Sequence, residues 1–361
     1  MKGRARAGGR GGYSSTVSSL STPVVLALFV LAGVVIWWAG GILASTTDAI
    51  DAHVGWGEGM GGAVFLAIAT NLPEVAIVCA GAYAGNLSLA VGNILGGIAI
   101  QTIVLVILDG PGLRSHPPLT SVITSLTIVL QGLVLIAILM LCMLGALSPP
   151  TLIFARTTPA EIAILLAWIA GLFIVAHSED RKTWRTAREE IAQASPIVAP
   201  QHHARPMGQV VALFAFAAFT TLVCGVVLAL TSEVAAQRFN MTGVLFGATV
   251  LAAVTALPEV TTGLYAVRAG RYELAMSDVI GGNAFLPVLF LLGTLLSGKA
   301  LLPDAQGPDL YLTALGALLT AVYCVGVILR SNRLLLGAGI DSIMVLVIYI
   351  IGIGGLFFVA K

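Results

Sequence analysis

Charge is what this chain has least of. Eighteen Lys and Arg and seventeen Asp and Glu make up 10% of its 361 residues, where a soluble domain of average usage carries about 25%. The mean hydropathy of +1.00 excludes a disordered chain, which needs the opposite balance of apolar content and charge. A net charge of +1 leaves no basic surplus for neutralising phosphates, so no nucleic-acid partner is expected. Cysteine is equally sparse. Cys79, Cys142, Cys224 and Cys324 stand singly in apolar runs, without the density of a disulfide scaffold or the spacing of a thiol metal site, and they read as small buried hydrophobes. His53, His116, His177, His202 and His203 lie in or beside polar connections.

What the chain does have is apolar length. A bilayer-crossing helix needs about 20 mostly apolar residues, and ten stretches qualify: 23–45, 59–83, 88–108, 119–145, 159–176, 209–231, 243–267, 274–296, 309–330 and 338–360. The expected class is an all-α integral membrane protein. The first 22 residues, rich in Gly, Ser and Arg, read as a disordered basic tail. The apolar run from Pro23 to Ala44 exceeds the 7–15 residues of a signal-peptide core and reads as a retained span. Residues 177–208 hold mixed charges and Pro196, Pro200 and Pro206. They read as a linker dividing 23–176 from 209–361, with five spans on each side. Setting the tail aside, the loops on the linker's side carry more Lys and Arg than those opposite. That bias places the linker in the cytoplasm and both termini outside.

The two halves share a repeat. Ala69-Thr70-Asn71-Leu72-Pro73-Glu74-Val75 matches Val254-Thr255-Ala256-Leu257-Pro258-Glu259-Val260. Nineteen residues beyond each Glu, Gly92-Asn93-Ile94-Leu95-Gly96-Gly97 matches Ser277-Asp278-Val279-Ile280-Gly281-Gly282. Thr70 and Thr255, Glu74 and Glu259, and Asn93 and Asp278 are all 185 apart. With an odd number of spans per half, equivalent helices cross the bilayer in opposite directions, as in an inverted-repeat transporter.

Glu74, Glu259 and Asp278 are acids set inside apolar runs, whereas Glu161 and Asp341 fall near span ends and are expected to reach water. A carboxylate at the bilayer centre costs about 3 kcal/mol on insertion scales, and such residues are functional by default. Pro73 and Pro258 each remove an amide donor, so backbone carbonyls near Thr70 and Thr255 need another partner. Carbonyls, hydroxyls and carboxylates together form the hard all-oxygen set that Ca²⁺ prefers. The glycine pairs Gly96-Gly97 and Gly281-Gly282 are expected to weaken helix locally and break the third and eighth spans.

T-N-L-P-E and T-A-L-P-E, followed by G-N-x-x-G-G and S-D-x-x-G-G, resemble the two alpha repeats of the sodium/calcium exchanger family. The likeness covers about 60–101 and 245–290. It implies ten helices, no cofactor, and transport of Ca²⁺ against Na⁺ by alternating access in a bacterial or archaeal plasma membrane. It also implies a cation site of Glu74, Glu259, Thr70 and Thr255, completed by Asn93 and Asp278. The family's Ser after each Thr is replaced by Asn71 and Ala256, and a further Ser falls on Leu89 and Leu274. Asn71, three residues before Glu74, is similar instead to the Gly-Asn-x-x-Glu pattern of the Ca²⁺/H⁺ exchanger branch. H⁺ therefore stands beside Na⁺ as the driving ion, with Asn71 in the site. Val75 and Val260 stand where that branch often has His. From another class, Glu74 and Glu259 could serve as the acid and base of an intramembrane hydrolase, although no nucleophile accompanies them.

Overall fold

The computed structural model describes residues 17–54, 62–110, 117–123, 125–149, 151, 153–180 and 206–360. Most of the expected tail and linker lies outside the described residues. The architecture is all-helical apart from one tiny hairpin. The first half contains α1 (Thr22–Val54), α2 (Gly62–Thr70), α3 (Leu72–Ala84), α4 (Ser88–Leu108), α5 (Thr127–Ala146) and α6 (Pro159–Asp180). The second contains α7 (Met207–Arg238), α8 (Leu257–Arg268), α9 (Tyr272–Phe285), α10 (Leu289–Ser297), α11 (Gly307–Leu329) and α12 (Ile340–Val359). Among the described residues nine helical stretches, two of them (Gly243–Arg268 and Tyr272–Ser297) interrupted, are long and apolar enough to cross a membrane, and the pair α2–α3, bent by 48°, brings the number to ten when counted as one broken span. α4 lies at the centre, with 78% of its apolar window buried, while α6 and α12 bury only 22% and turn their apolar faces outward.

α1 runs past the apolar stretch expected to end at 45. In its polar continuation the Thr46 hydroxyl finds a partner within the helix, Oγ1 donating to the Ile42 carbonyl at 2.6 Å. The hairpin pairs β1 (Leu334–Leu335) with β2 (Ala338–Gly339), Leu334 opposite Gly339. Its two-residue loop needs positive φ at both positions, and Leu336 and Gly337 have φ of 55° and 86°.

The inverted relation extends well beyond the two motifs. Thr231, 185 residues after Thr46, donates to Val227 at 2.7 Å, the counterpart of Ile42. Gly40 of α1 packs on Pro258, and its counterpart Gly225 of α7 packs on Pro73. Each long first helix thus crosses the proline break of the opposite half. Only the missing side chains at Gly40 and Gly225 allow this approach: a β-carbon would lie 2.9 Å from the Pro258 α-carbon in one case and 2.8 Å from the Pro73 carbonyl in the other.

Two expectations are corrected. The glycine pairs do not break their helices, since α4 is continuous from Ser88 to Leu108 and α9 continues to Phe285. The second-half interruption falls at the 3-10 turn Leu286–Val288, where Pro287 removes a donor. Gly96 instead admits the π-helical turn Gly247–Leu251, because a β-carbon there would overlap the Ala248 backbone. Glu161 and Asp341 do not reach water either; both are buried. Glu161 accepts from the Thr294 hydroxyl and from Thr158 N at 3.0 Å. Near Asp341, Asp109 at the end of α4 accepts from Leu119 N at 2.6 Å and from Gly339 N and Ser342 Oγ at 2.7 Å. Glu161 and Asp109 are thus satisfied by hydroxyl and backbone donors, as a dry interior demands, whereas both Asp341 oxygens are buried without a hydrogen-bond partner.

Gly96 and Gly281 occupy equivalent repeat positions with opposite surroundings, since nothing lies within 4 Å of a β-carbon built at Gly281. Gly96→Ala is expected to destabilise the fold by about 1–3 kcal/mol through overpacking, while Gly281→Ala is neutral or stabilising. Thermal unfolding of the two purified variants in detergent checks the contrast.

Candidate functional site

The two proline breaks meet at the centre of the molecule. α2 ends at Thr70 and α3 begins at Leu72, with Asn71 at the junction. In the second half the short helix Ala252–Thr255 ends and α8 begins at Leu257, with Ala256 at the junction. The local bonding matches: Thr70 Oγ1 donates to the Ala67 carbonyl at 3.2 Å and Thr255 Oγ1 to the Ala252 carbonyl at 3.4 Å. Glu74 and Glu259 each sit in the first turn of a half-helix. The partial positive charge of a helix N-terminus favours a carboxylate there, and half-helix termini of this kind build ion sites in inverted-repeat transporters.

α4 and α9 supply the other walls. Thr70, Asn71, Glu74, Thr255 and Glu259 are fully buried, and Asn93 and Asp278 are 1% exposed. Thr255 Oγ1 donates to Asn93 Oδ1 across the halves at 3.2 Å. Thr255 also lies beside Glu74, and Thr70 beside Glu259 and Asp278. Glu259 is within electrostatic reach of both Glu74 and Asp278. All seven residues expected from the sequence therefore gather around one centre. Asn71 is held by its own helix, its Nδ2 donating to the Ala67 carbonyl at 2.6 Å.

Four further polar residues complete the surroundings and were not expected. Gln101 Nε2 of α4 donates to both Asn71 Oδ1 and Glu259 Oε1 at 3.4 Å. Thr262 Oγ1 donates to Asp278 Oδ2 at 2.5 Å. Asn283 Nδ2 donates at 3.3 Å to the Ile98 carbonyl and to Thr102 Oγ1. The repeat search missed them because their counterparts at an offset of 185 are Leu286, Ile77, Ile98 and Pro287. A helical-spacing search would have found Gln101, eight residues after Asn93 and hence on the same face.

The cluster is short of donors. Both Glu74 oxygens, Glu259 Oε2, Asp278 Oδ1, Gln101 Oε1 and Asn283 Oδ1 are buried without a hydrogen-bond partner. Among the described residues no Lys, Arg or His forms an ion pair with these acids. Nor do three carboxylate, imidazole or thiol side chains converge closely enough to hold a metal by themselves. The acids are spaced by amides and hydroxyls, so an ion at the centre has to use neutral oxygens as well. A cavity of about 380 Å³ opens on the face opposite the linker, lined by Asn86, Ser88, Val91, Val244, Lys299 and Asp309 among others. It reaches α4 at Val91, two residues before Asn93.

Inverted helix breaks enclosing unpaired acids at mid-span define an integral membrane transporter of cations. The chain belongs to the sodium/calcium exchanger family, whose model, described as sodium/calcium exchanger protein, matches residues 24–177 and 209–357. CaxA of Alkalimonas amylolytica is 27% identical over 329 residues, covering 86% of this chain and 93% of that protein. The fold is similar to that of the sodium-calcium exchanger NCX_Mj, with a TM-score of 0.59 at 16% identity over 92% of this chain and 99% of that one. It is also similar to an H⁺/Ca²⁺ exchanger CAX, with a TM-score of 0.57 at 16% identity over 96% and 93%. The protein is thus an exchange transporter of the cation/Ca²⁺ class, and the hydrolase alternative falls.

Thr262 orients Asp278, and a hydrogen bond to a charged group contributes about 1.5–3 kcal/mol. Thr262→Val is expected to raise the cation concentration for half-maximal uptake by roughly tenfold or more. Thr261→Val, whose hydroxyl donates to Leu257 at 2.9 Å, should leave it unchanged. Initial uptake rates in proteoliposomes distinguish the two.

Proposed function

We propose that the protein exchanges Ca²⁺ for Na⁺ across a prokaryotic plasma membrane by alternating access. The ion site is formed by Glu74, Glu259 and Asp278 with Asn93, Thr70, Thr255 and Asn71. The observation that carries this reading is the set of buried carboxylate oxygens with neither donor nor counter-charge. A buried charge without a partner costs several kcal/mol, so a cation is the natural complement. Oxygen is the only ligand type offered, which suits a hard ion such as Ca²⁺ at 2.3–2.6 Å.

Exchange follows from the same electrostatics. With Ca²⁺ in place its two positive charges offset most of the acidic charge, and the loaded site can pass from one face to the other. Ionised and empty, the site would carry uncompensated charge through low dielectric, so the return step needs Na⁺ or H⁺. The protein therefore releases one cation only by taking the other.

H⁺ is the second reading, favoured by particular residues. Leu89, Leu274 and Ala256 offer no hydroxyl where the family's Na⁺ ligands would stand, and Gln101 joins Asn71 to Glu259. Protons need no hydroxyl ligands, because closely placed carboxylates titrate as a coupled set.

Radiolabelled Ca²⁺ uptake into proteoliposomes under separately imposed Na⁺ and H⁺ gradients decides between them. Uptake is expected to follow an opposing Na⁺ gradient. Uptake that ignores Na⁺ and follows a pH gradient would replace Na⁺ by H⁺. Glu74→Gln and Glu259→Gln should each reduce uptake at least 100-fold; survival of either activity would remove that residue from the site.

A further inference from the structure

Two contacts at opposite faces occupy equivalent places in the inverted repeat but differ in chemistry. Asp48 near the end of α1 and Glu233 near the end of α7 are 185 residues apart, as are Asn86 and Arg271. Asn86 and Arg271 sit in matching turns. Each follows a glycine of positive φ, 78° at Gly85 and 74° at Gly270, and each amide donates back to an equivalent carbonyl, Gly81 at 3.0 Å or Ala266 at 2.8 Å. Each side chain then reaches the acid on the first helix of the opposite half. On the linker face Arg271 Nη1 meets Asp48 Oδ1 at 2.8 Å in a half-buried ion pair. On the other face Asn86 Nδ2 donates to Glu233 Oε1 at 3.3 Å in an exposed, uncharged-to-charged contact.

The surroundings differ in the same direction. The Tyr265 hydroxyl lies beside Asp48, whereas its counterpart is Ala80. Ala80, Asn86 and Glu233 line a small cavity, and Asn86 also lines the 380 Å³ cavity. The strongly tied face is packed with an aromatic ring, and the weakly tied face is open.

We infer that this pair of contacts sets which side the transporter faces at rest. In an inverted repeat the two halves exchange conformations as access alternates. Chemically identical halves would give two states of equal energy, so the preference resides in positions where counterparts differ. Both contacts join one half to the other, so rocking of the halves must loosen one as it tightens the other. Asp48–Arg271, the shorter and less exposed ionic contact, holds the linker face shut. Asn86–Glu233, neutral on one side and solvated, lets the opposite face open. Arg271 and Asp48 are positioning residues, paired with each other outside the central cluster of acids, and the inference does not depend on which ions are carried.

Cysteine accessibility tests this without transport. In a background lacking Cys79, Cys142, Cys224 and Cys324, single cysteines replace Val91, which lines the open cavity, or Met276, its fully buried counterpart at an offset of 185. A membrane-impermeant maleimide in detergent should label position 91 much faster than position 276. Arg271→Asn should narrow that ratio by about tenfold, the shift produced by a 1.4 kcal/mol change in balance. The exchanged variant, Asn86→Arg with Arg271→Asn, should reverse it, and Asp48→Asn should act like Arg271→Asn. A contact that only stabilises the fold would lower the melting temperature without reversing the ratio. If the exchanged variant elutes as native protein yet keeps the native ratio, the inference is overturned. The same holds if Asp48→Asn leaves the ratio unchanged.

Discussion

The structure is organised around the cost of ionisable carboxyl groups in a medium that cannot solvate them. Glu74, Glu259 and Asp278 lie at the centre of the helix bundle, and several of their oxygens meet no donor. The chain supplies only partial relief. Two half-helix N-termini point at the glutamates, Thr262 donates to Asp278, and Gln101 donates weakly to Glu259. None of these neutralises the site. That residual demand for positive charge sets the cluster apart from a structural ion pair, where a Lys or Arg would supply the opposite charge permanently.

Positioning those acids requires backbone that departs from regular helix at membrane depth. Pro73 and Pro258 create the departure, and the long helices α1 and α7 shield it by crossing the breaks at Gly40 and Gly225. Glycine here serves close approach. The same use recurs along α4, where a β-carbon at Gly92 would lie 2.5 Å from the Val244 carbonyl oxygen. Irregular backbone is tolerated within a bilayer only where protein or a polar cavity covers it, and the inverted arrangement makes each half the cover for the other.

Much of this was legible in the residues. The number of spans, the offset of 185 and the gathering of three buried acids at the centre all followed from apolar length and self-similarity, because both are strong, repeated signals. What was not legible has physical reasons. Gln101, Thr262 and Asn283 belong to one half only, so the repeat was blind to them. Glu161 and Asp341 looked exposed because chain position near a span end says nothing about depth beneath neighbouring loops and helices. The Gly-Gly pairs looked like breaks because glycine permits both bending and close contact, and only the partner Ala248 decides between them. The pairing of Asp48 with Arg271 could not be anticipated either, since the repeat predicts equivalence of position and the chemistry there is unequal.

These differences between the halves carry as much meaning as the likeness. Symmetry brings matching residues of both halves to one buried centre, and the halves differ at Asn71/Ala256, Asn93/Asp278 and Asn86/Arg271, which makes the charge of the cluster and of the contacts at the two faces unequal. The central claim is that a divalent cation sits between the two broken helices. Anomalous scattering from crystals of the native protein grown with Sr²⁺ tests it directly. The account predicts a peak at metal–oxygen distances of roughly 2.3–2.6 Å from carboxylate oxygens of both Glu74 and Glu259, absent in Glu259→Gln. A well-ordered peak elsewhere with nothing between the two glutamates would contradict it.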